Sequence, residues 1–460
     1  MDDYDVIVIG AGGAGLAAAA TAAQSGARVL IIEAADRAGG STALSGGVFY
    51  AAGTAVQRAR GIDGDTPDAM FQYYMTLNQY KLEPALVRRL CDEAPAALEW
   101  LTELGVEFPE SNLYVAGVDK IARGHRAAGM GLEIATVLEG ACNRSGVDVV
   151  TRTRVRELCL ENGRVVGVRV DGEELRTSAV VITTGGFGNN PELLARLYPD
   201  AARQGDLAWY IGSPHARGDG ILMGQSVGAT LYGHNRGLLL VTPGFARELE
   251  VYLPGWLVYV NRDGRRFIDE TIEYSVLAAV LKEQTGGECL AVFDEDARAA
   301  ARSSPTRPAP NWTADRLTAL VAAGKIHCAD TLAALAETTG IHAAALATTV
   351  DAYNRYCEAG IDGGYFKAAE MLRPVRRPPF YAVRIRPAIV CWTGAGLRID
   401  TGARVLDHAE RPIPGLFAAG ETTGGMFGEC YAAGGASIAN AIVFGRIAGA
   451  AAAASQSNFA

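Results

Sequence analysis

The feature that most constrains this chain is a short apolar strand that runs directly into a glycine-rich turn. Residues 5–9 read Asp-Val-Ile-Val-Ile, a run typical of a strand buried on both faces. The turn Gly10-Ala-Gly-Gly-Ala-Gly15 follows and opens an alanine-rich helix. A second strand over residues 28–32 ends at the acidic Glu33. The spacing predicts a βαβ unit whose turn binds a dinucleotide.

Each of these residue types has its own part in binding such a cofactor. Gly10 allows the tight turn, Gly12 lets the backbone approach a pyrophosphate, and Gly15 permits close packing of the helix. The helix N-terminus stabilises the phosphate charge. Glu33 can accept hydrogen bonds from the hydroxyls of an adenosine ribose.

The other glycine-rich segments decide between a nicotinamide and a flavin dinucleotide. GxGxxG occurs once, so no second pyridine-nucleotide site is indicated. The distant segment Ala418-Ala-Gly-Glu421 precedes another glycine-rich helix start, and an isoalloxazine needs such a second backbone cradle, whereas a nicotinamide does not. We therefore expect FAD. The expected cofactor-binding residues are Gly10, Gly12, Gly13, Ala14, Gly15, Glu33, Ala34, Gly40, Ser41, Thr42, Ser45, Gly46, Gly47, Thr184, Gly185, Gly186, Asp219, Gly420, Glu421, Ser437 and Ile438.

Length and composition exclude several classes of protein. A chain of 460 residues with 49% apolar and 20% charged residues is long enough for two domains. The net charge of −9 argues against nucleic acid as a partner. No uncharged apolar stretch of about 18 residues and no signal peptide are evident, so we expect no membrane span. The eight cysteines include no CxxC pair, which predicts reduced, mostly buried thiols, no metal site and a cytoplasmic location.

The order of elements predicts an α/β fold, in which a Rossmann-like FAD-binding domain carries an inserted α+β cap domain. The pattern is largely helical over 66–145, after which strand-like runs return. The pattern changes beyond about Leu231, and the prolines between 374 and 379 indicate a return crossing. We therefore assign residues 1–231 and 376–460 to the FAD-binding domain and 232–375 to the cap.

Several segments together resemble the fumarate reductase/succinate dehydrogenase flavoprotein superfamily, and the resemblance covers nearly the whole chain. They are Val8-Ile-Gly-Ala-Gly-Gly-Ala-Gly15, Gly39-Gly-Ser-Thr42, Thr184-Gly-Gly-Phe187, Asn261-Arg-Asp-Gly-Arg-Arg-Phe-Ile-Asp-Glu270 and Gly415-Leu-Phe-Ala-Ala-Gly-Glu-Thr-Thr-Gly-Gly425. The resemblance implies a cap over the flavin, with the substrate between the two domains. It also implies non-covalent FAD, because Ser41 stands near the position where some members attach flavin through a histidine.

The departures from this resemblance concern charge. Dicarboxylate-reducing members carry an Arg where this chain has Glu273-Tyr274-Ser275, and a His where it has Cys391-Trp-Thr-Gly-Ala-Gly396. They carry another Arg where it has Phe427-Gly-Glu-Cys-Tyr-Ala-Ala-Gly-Gly435. Such cations bind and polarise carboxylates through bidentate contacts. Because all three are absent, we do not expect fumarate or succinate chemistry.

At these positions the chain resembles the 3-ketosteroid dehydrogenases and related cyclic-ketone desaturases. That resemblance implies that Tyr274 is the base acting beside the ketone, and that the Tyr431 hydroxyl and the Gly435 N–H hold the carbonyl oxygen. Ala433 replaces a serine of the Δ4-type enzymes. The expected substrate is a 3-ketosteroid or a smaller ring such as 4-oxocyclohexanecarboxylate. Flavin N5 would accept the β-hydride, and an external acceptor (oxygen, a quinone or a dye) would then take the electrons.

Other hypotheses stay open. The same site run backwards would be an enone or fumarate-type reductase, since the flavin potential and the electron partner decide the direction. An amine or aspartate oxidase would again need an arginine for the carboxylate. An electron-transfer flavoprotein is a third class, weakened by the absence of an Fe–S or haem motif.

Several further residues are candidates for roles in or near the site. Tyrosine hydroxyls ordinarily titrate near pH 10, so a tyrosine base needs activation, and Tyr114 is a candidate relay. Trp392 is interpreted as a wall of the substrate site, and the six histidines fall outside every motif. We interpret three arginines as surface or cap-domain charges, one of which could meet a substrate carboxylate: Arg262, Arg265 and Arg266.

Overall fold

The computed structural model describes residues 4–243, 252–303 and 309–455. Its strands are β1 (Val6–Ile9), β2 (Val29–Ile32), β3 (Val48–Tyr50), β4 (Leu113–Val115), β5 (Ala122–Arg126), β6 (Asp148–Val150), β7 (Glu157–Glu161), β8 (Arg164–Val170), β9 (Glu173–Arg176), β10 (Ala179–Ile182), β11 (Trp209–Tyr210), β12 (Leu231–Tyr232), β13 (Gly237–Pro243), β14 (Val258–Val260), β15 (Cys289–Asp294), β16 (His327–Ala329), β17 (Phe380–Thr393), β18 (Gly396–Leu397), β19 (Arg404–Leu406) and β20 (Pro412–Ala418).

Its α-helices are α1 (Gly13–Gln24), α2 (Gly40–Leu44), α3 (Ala55–Ala59), α4 (Pro67–Leu77), α5 (Pro84–Leu104), α6 (Met130–Arg144), α7 (Pro191–Leu197), α8 (Pro199–Ala202), α9 (Asp219–Ser226), α10 (Tyr274–Lys282), α11 (Glu295–Ala299), α12 (Ala314–Ala322), α13 (Leu332–Thr339), α14 (Ala343–Ala359) and α15 (Ala436–Ala454). The chain divides into two compact units. The first comprises residues 1–202, 212–238 and 391–460, and the second comprises 203–211 and 239–390.

A six-stranded sheet in the order β19-β20-β10-β1-β2-β6 organises the first unit. All of its strand pairs are parallel except β19 with β20. The inner strands β1, β2 and β10 are apolar and buried along their whole length. Such apolar runs suit a sheet covered on both faces, because every side chain of the strand is then buried from solvent. The predicted Rossmann-like architecture is confirmed.

Helix α15 packs closely against α1 through small side chains. A Cβ atom at Gly445 would lie 2.5 Å from the Ala14 carbonyl oxygen, and one at Gly449 would lie 2.1 Å from that of Ala18. By length and composition alone, α15 could cross a membrane. Most of it is buried within the fold, however, which is what the core helix of such a sheet requires.

One stretch of the first unit differs from the prediction. The pattern over residues 66–145 indicates helices, and α4, α5 and α6 do form there. Between α5 and α6, however, β4 and β5 pair antiparallel and extend onto β3 as a three-stranded sheet. These strands have three and five residues. Their alternation of apolar and polar residues is too short to be recognised beside the longer helical patterns that flank them.

The second unit is built on a largely antiparallel sheet in the order β11-β17-β15-β14, with β13 and β16 also pairing with β17. An aromatic cluster fills one side of it: Phe293 stacks on Tyr381 at 5.2 Å between ring centroids, and Trp312 lies edge-on to Phe293. The prolines before residue 380 lead into β17 rather than back to the first unit. The chain therefore returns at Cys391, fifteen residues later than the predicted 376.

The cysteines are unpaired thiols, as expected. Four are buried, namely Cys91, Cys142, Cys159 and Cys289. The expectation that most would be buried is only half met, because Cys328 is exposed and the other three are intermediate. Among the described residues no cluster of His, Cys, Asp or Glu could hold a metal ion.

Candidate active site

The predicted cofactor loops lie at the carboxyl edge of the parallel sheet. Each follows a strand: Gly10 follows β1, Glu33 follows β2, Thr183 follows β10, and Gly420 follows β20. The first three loops are joined directly, because the Gly10 N–H donates to the Ile32 carbonyl at 2.8 Å and the Thr183 hydroxyl donates to the Gly10 carbonyl at 2.9 Å. This is the edge at which open α/β sheets bind ligands.

Glu33 is buried beside the glycine-rich turn and held by two backbone groups. Its Oε2 accepts from the Ala11 N–H at 2.6 Å, and its Oε1 accepts from the Ala35 N–H at 2.7 Å. A carboxylate oxygen has a second lone pair, so each oxygen can still accept from a ribose hydroxyl. The intervening Ala34 shares this loop. The carboxylate orientation is therefore fixed before any cofactor binds.

The turn itself leaves room for a cofactor at one residue. A Cβ atom at Gly12 would meet no described atom within 4 Å, whereas one at Gly13 would lie 2.6 Å from the Thr42 hydroxyl and one at Gly15 only 1.9 Å from the Gly10 carbonyl. Gly15 and Gly13 thus permit close packing, and Ala14 follows the same turn into α1. The open side at Gly12 fits the approach of a pyrophosphate.

The segment from Gly40 to Gly47 borders this turn. The Gly13 N–H donates to the Thr42 hydroxyl at 3.1 Å, and the Ser41 hydroxyl accepts from the Ser213 N–H at 3.0 Å. Ser45 closes the segment, accepting from the Gly47 N–H at 3.2 Å. The side of Gly46 is open, with no described atom within 4 Å of an added Cβ.

The segment Thr184 to Gly186 meets the start of α9. The Thr184 hydroxyl accepts from the Gly220 N–H at 3.1 Å, and the Gly218 N–H donates to the Gly186 carbonyl at 3.0 Å. Gly185 has a positive φ of 72° within this turn. Asp219 forms an ion pair with Arg154, whose guanidinium also contacts His215. The role of Asp219 in binding FAD stays a prediction.

Glu421 is the acid at the opposite end of the chain. Its Oε1 accepts from both the N–H and the hydroxyl of Thr393, at 2.9 and 2.8 Å. Burial raises the pKa of the carboxyl, although these hydrogen bonds lower it in part. A Cβ at Gly186 would lie 2.4 Å from Glu421, and one at Gly420 would lie 2.8 Å from the Ala14 side chain. The C-terminal motif therefore packs against the N-terminal loops, as the second cradle requires.

The Tyr431 hydroxyl lies at the start of α15. The side chain is 5% exposed, and its oxygen accepts from the Ser437 N–H at 2.7 Å. Burial raises the pKa of this phenol well above its usual value. The hydroxyl thus keeps its proton and, since it is an acceptor in this bond, can donate that proton to another group. Ile438, the next residue of the helix, is buried.

Gly435 caps the same helix. Its φ is +96°, and a Cβ there would lie 2.7 Å from the Val48 carbonyl, so only glycine fits without strain. The first N–H groups of a helix have no acceptor within it. The Gly435 and Tyr431 positions therefore bring hydrogen-bond donors to one helix start.

Aromatic rings surround the Tyr431 phenol. The Phe427 ring lies 5.3 Å from it and the Trp392 ring 6.2 Å, while Trp392 meets Phe427 edge-on at 4.7 Å. Among the described residues, no Arg or Lys lies over any of these three rings. Two aromatic rings thus border this hydroxyl, and the Cys391 thiol and the Glu421 carboxyl lie close enough to add to the rise in its pKa.

Tyr274 belongs to the second unit. It is the first residue of α10, follows the N-cap Glu273, and packs edge-to-face on Tyr252 with ring centroids 6.1 Å apart. Tyr114, the candidate relay, lies in β4 of the first unit beneath the Arg126 guanidinium. The roles of both tyrosines stay predictions.

Arg266 is a buried charge of the second unit. Its guanidinium is buried and pairs with Glu270 at 2.8 Å and with Asp362 at 2.9 Å, while Lys367 approaches Glu270 at 3.2 Å. Because Arg266 is fully committed to these carboxylates, it cannot meet a substrate carboxylate. Of the two alternatives for Arg266, the surface charge is wrong, whereas the cap-domain charge agrees with its place in the second unit.

Arg262 and Arg265 are exposed, as interpreted, and Arg262 pairs with Glu288.

Three residues that were not predicted from the sequence hold predicted site residues in place. Thr393 orients Glu421, Ser213 donates to Ser41, and Arg154 pairs with Asp219. Only Thr393 had a signal, since it lies within the segment compared with the histidine-containing motif. The other two join elements that are distant in sequence.

The fold and its carboxyl-edge loops define an FAD-dependent flavoprotein. The family of proteins described as FAD binding domain matches residues 5–438, and the chain belongs to this family, within the fumarate reductase/succinate dehydrogenase superfamily. A fumarate reductase (cytochrome) of Shewanella frigidimarina is 32% identical over 463 residues, covering 97% of this chain and 76% of that protein.

Two further proteins align with this chain over almost their whole length. A vinyl phenol reductase of Lactiplantibacillus plantarum is 29% identical and covers 94% of this chain and 92% of that protein. The crystal structure of a 3-ketosteroid-Δ4-(5α)-dehydrogenase from Rhodococcus jostii RHA1, in complex with 4-androstene-3,17-dione, superposes with a TM-score of 0.81 at 28% identity, covering 98% of this chain and 96% of that one. The chain is thus a flavin oxidoreductase acting on carbon–carbon bonds.

Proposed function

We propose that this protein interconverts an α,β-unsaturated ketone and its saturated counterpart on a neutral cyclic substrate, with reduction as the principal direction. The observation that carries the proposal is the buried Tyr431 hydroxyl, already oriented by the Ser437 N–H at 2.7 Å. Burial raises its pKa, which favours the protonated form. A neutral donor fixed in this way is suited to the oxygen of a ketone, on which negative charge develops during the reaction.

The surroundings of Tyr431 support a neutral ring over a dicarboxylate. Its ring neighbours are Phe427 and Trp392, and Trp392 stands in the segment where dicarboxylate-reducing members have a histidine. Burying a carboxylate without a cation costs several kcal/mol, on the order of the penalty for an unpaired buried charge. A cyclohexenone-like or steroid-like ring would instead gain from contact with aromatic faces.

The chain's own residues would divide the work as follows. Bound FAD supplies or accepts the hydride at the β-carbon. The Tyr431 hydroxyl and the Gly435 N–H would hold the ketone oxygen and stabilise the enolate. By the resemblance noted above, Tyr274 would deliver a proton to the α-carbon in the reductive direction and remove it in the reverse direction.

The direction of the reaction is the point on which the comparisons change the sequence-based ranking. The sequence placed desaturation first. Two of the three relatives described above are named as reductases, and both exceed the dehydrogenase in sequence identity. We therefore place enone reduction first, with desaturation of a cyclic ketone second, favoured by the TM-score of 0.81 with the ketosteroid enzyme. Non-covalent FAD, an external electron partner and a cytoplasmic location remain proposals.

Anaerobic titration in both directions tests this function. Flavin absorbance near 450 nm is followed in the dithionite-reduced holoenzyme on adding cyclohex-2-enone, 4-androstene-3,17-dione or fumarate, and in the oxidised holoenzyme on adding cyclohexanone or a 5α-reduced 3-ketosteroid. Reoxidation by an enone supports reduction, and bleaching by a saturated ketone supports desaturation. Response to fumarate alone, or to no compound, would refute a ketone site and favour a dicarboxylate enzyme or an electron-transfer flavoprotein.

A further inference from the structure

A buried polar cluster in the first unit serves neither the cofactor loops nor the carbonyl donors directly. Its centre is Arg123, whose side chain is 1% exposed. Arg123 makes a two-pronged contact with Asp65, at 2.8 Å through Nε and 2.7 Å through Nη2, and a third contact with Asp119 at 2.5 Å. Gln57 donates to the same Asp65 carboxylate at 2.7 Å. Burial of these charged groups costs free energy of desolvation, which their mutual contacts offset.

Tyr73, on α4, connects this cluster to the segment that carries the carbonyl donors. The Arg123 guanidinium lies over its ring at 5.8 Å. The Tyr73 hydroxyl donates to the Ala432 carbonyl at 2.6 Å and accepts from the Val118 N–H at 3.1 Å. Burial raises the pKa of this phenol, which keeps the donated proton in place.

A second bond holds the same segment from the same side. The Gly434 N–H donates to the Ala116 carbonyl at 3.1 Å. Ala432 and Gly434 stand between Tyr431 and Gly435. One end of this short loop is therefore bonded directly to Ala116, and the other reaches Val118 through the Tyr73 hydroxyl. Asp119, which pairs with Arg123, directly follows that stretch.

We propose that Tyr73 is a positioning residue for the carbonyl site, and that the Arg123 cluster fixes it for this purpose. Through the Ala432 peptide it orients the Tyr431 hydroxyl and the Gly435 N–H toward one oxygen. The inference rests on the proposed function. The two donors have to be held firmly, because displacement of a donor by about 1 Å can lower the reaction rate by orders of magnitude.

The test is the Tyr73→Phe variant, which removes one oxygen and keeps the ring over which Arg123 lies. The probe is cyclohex-2-enone labelled with ¹³C at the carbonyl, bound to the oxidised holoenzyme and observed by difference infrared spectroscopy. In the wild type we expect the carbonyl band at lower wavenumber than in water. In Tyr73→Phe we expect the band to return toward its value in water and enone-driven flavin reoxidation to slow about tenfold, with FAD content unchanged.

The controls separate positioning from stability. Tyr80→Phe, at a tyrosine that is 70% exposed, should leave the band and the rate at their wild-type values. A purely structural Tyr73 would lower the melting temperature and the yield of holoenzyme without moving the band of the bound ketone. An unmoved band in folded Tyr73→Phe therefore overturns the inference.

A second variant decides the case if Tyr73→Phe yields no holoenzyme. Asp119→Asn keeps the side-chain volume and weakens the contact with Arg123, so a smaller band shift in the same direction is expected, and its absence overturns the inference. If the wild type itself shifts neither this probe nor carbonyl-labelled 4-androstene-3,17-dione, the proposed function fails, and the inference fails with it. A band shift in the wild type that both variants retain removes the positioning role alone.

Discussion

Replacement of Tyr431 by phenylalanine is the most direct perturbation of the proposed carbonyl site. The change deletes a single buried oxygen and leaves the contacts of the ring with Phe427 and Trp392 in place. It removes the hydroxyl that would donate to the ketone. It also removes the acceptor of the Ser437 N–H, a bond of 2.7 Å.

The two losses differ in size and in what they affect. Removing one preorganised donor from a developing oxyanion lowers rate constants by roughly 10²–10³, or about 3–4 kcal/mol of transition-state stabilisation. The orphaned Ser437 N–H belongs to the first turn of α15, and loss of one neutral hydrogen bond there should cost about 1 kcal/mol of folding free energy. Catalysis should therefore fall far more than stability.

Stopped-flow measurement of enone-driven reoxidation, on holoenzyme with matched FAD content, checks this expectation. The Tyr80→Phe variant serves as the control for loss of a phenol oxygen. Since the pKa of Tyr431 is raised, its proton stays in place through the neutral range, and the effect of the replacement should not vary between about pH 6 and pH 9. A rate for Tyr431→Phe within threefold of the wild type would refute the assignment of this hydroxyl to the carbonyl oxygen.

Three further perturbations probe the cofactor turn, the buried charges and a buried histidine. Gly12→Leu should fold but purify without FAD, because its side chain would fill the open side of the turn; the ratio of absorbance at 450 to 280 nm measures this, and Gly64→Leu, at an equally open glycine, should keep FAD. Arg266→Met should lower the free energy of unfolding by about 3–5 kcal/mol because it leaves buried carboxylates unpaired, against less than about 1 kcal/mol for Arg298→Met at a more exposed pair; equal losses in urea unfolding would contradict this. Burial lowers the pKa of His125 to about 4 from 6.5, so the unfolded chain takes up the proton first, and stability should fall as pH drops from about 6.5 to about 4. The His125→Gln variant should not show this loss of up to about 3 kcal/mol in the free energy of unfolding. Parallel pH profiles of stability for the wild type and the variant would contradict the assignment to His125.

The parts of this fold that local sequence determines could be predicted. The strand, the glycine turn and Glu33 follow one another within a short stretch, and their chemistry depends on neighbours in the chain. The structure adds that Glu33 is fixed by the Ala11 and Ala35 N–H groups, which the same short stretch supplies. The Rossmann-like fold could be predicted from the sequence for this reason.

The parts that could not be predicted depend on contacts between distant residues. Arg123 meets Asp65 across 58 residues, and Tyr73 meets Ala432 across 359. The local pattern left Arg266 open as a surface or a cap-domain charge, because one of its two carboxylate partners, Asp362, lies 96 residues away. A proline cluster before Phe380 likewise carries no sign of whether it ends a domain or begins a strand. In each case the local pattern is compatible with both outcomes, and only the tertiary partner decides.

The proposed site also explains why direction is the hardest property to predict from the residues. Reduction and desaturation pass through the same enolate, so a donor that stabilises this oxygen lowers the barrier equally in both directions. In the proposed site, Tyr431 and Gly435 would therefore set which substrate reacts and how fast, but not which way. The balance follows from the potential of the bound flavin relative to the substrate pair and from the partner that exchanges electrons with it. It follows that Tyr431→Phe should slow enone-driven reoxidation and ketone-driven bleaching by the same factor, and unequal factors would mean that the hydroxyl acts on a step other than stabilisation of the enolate.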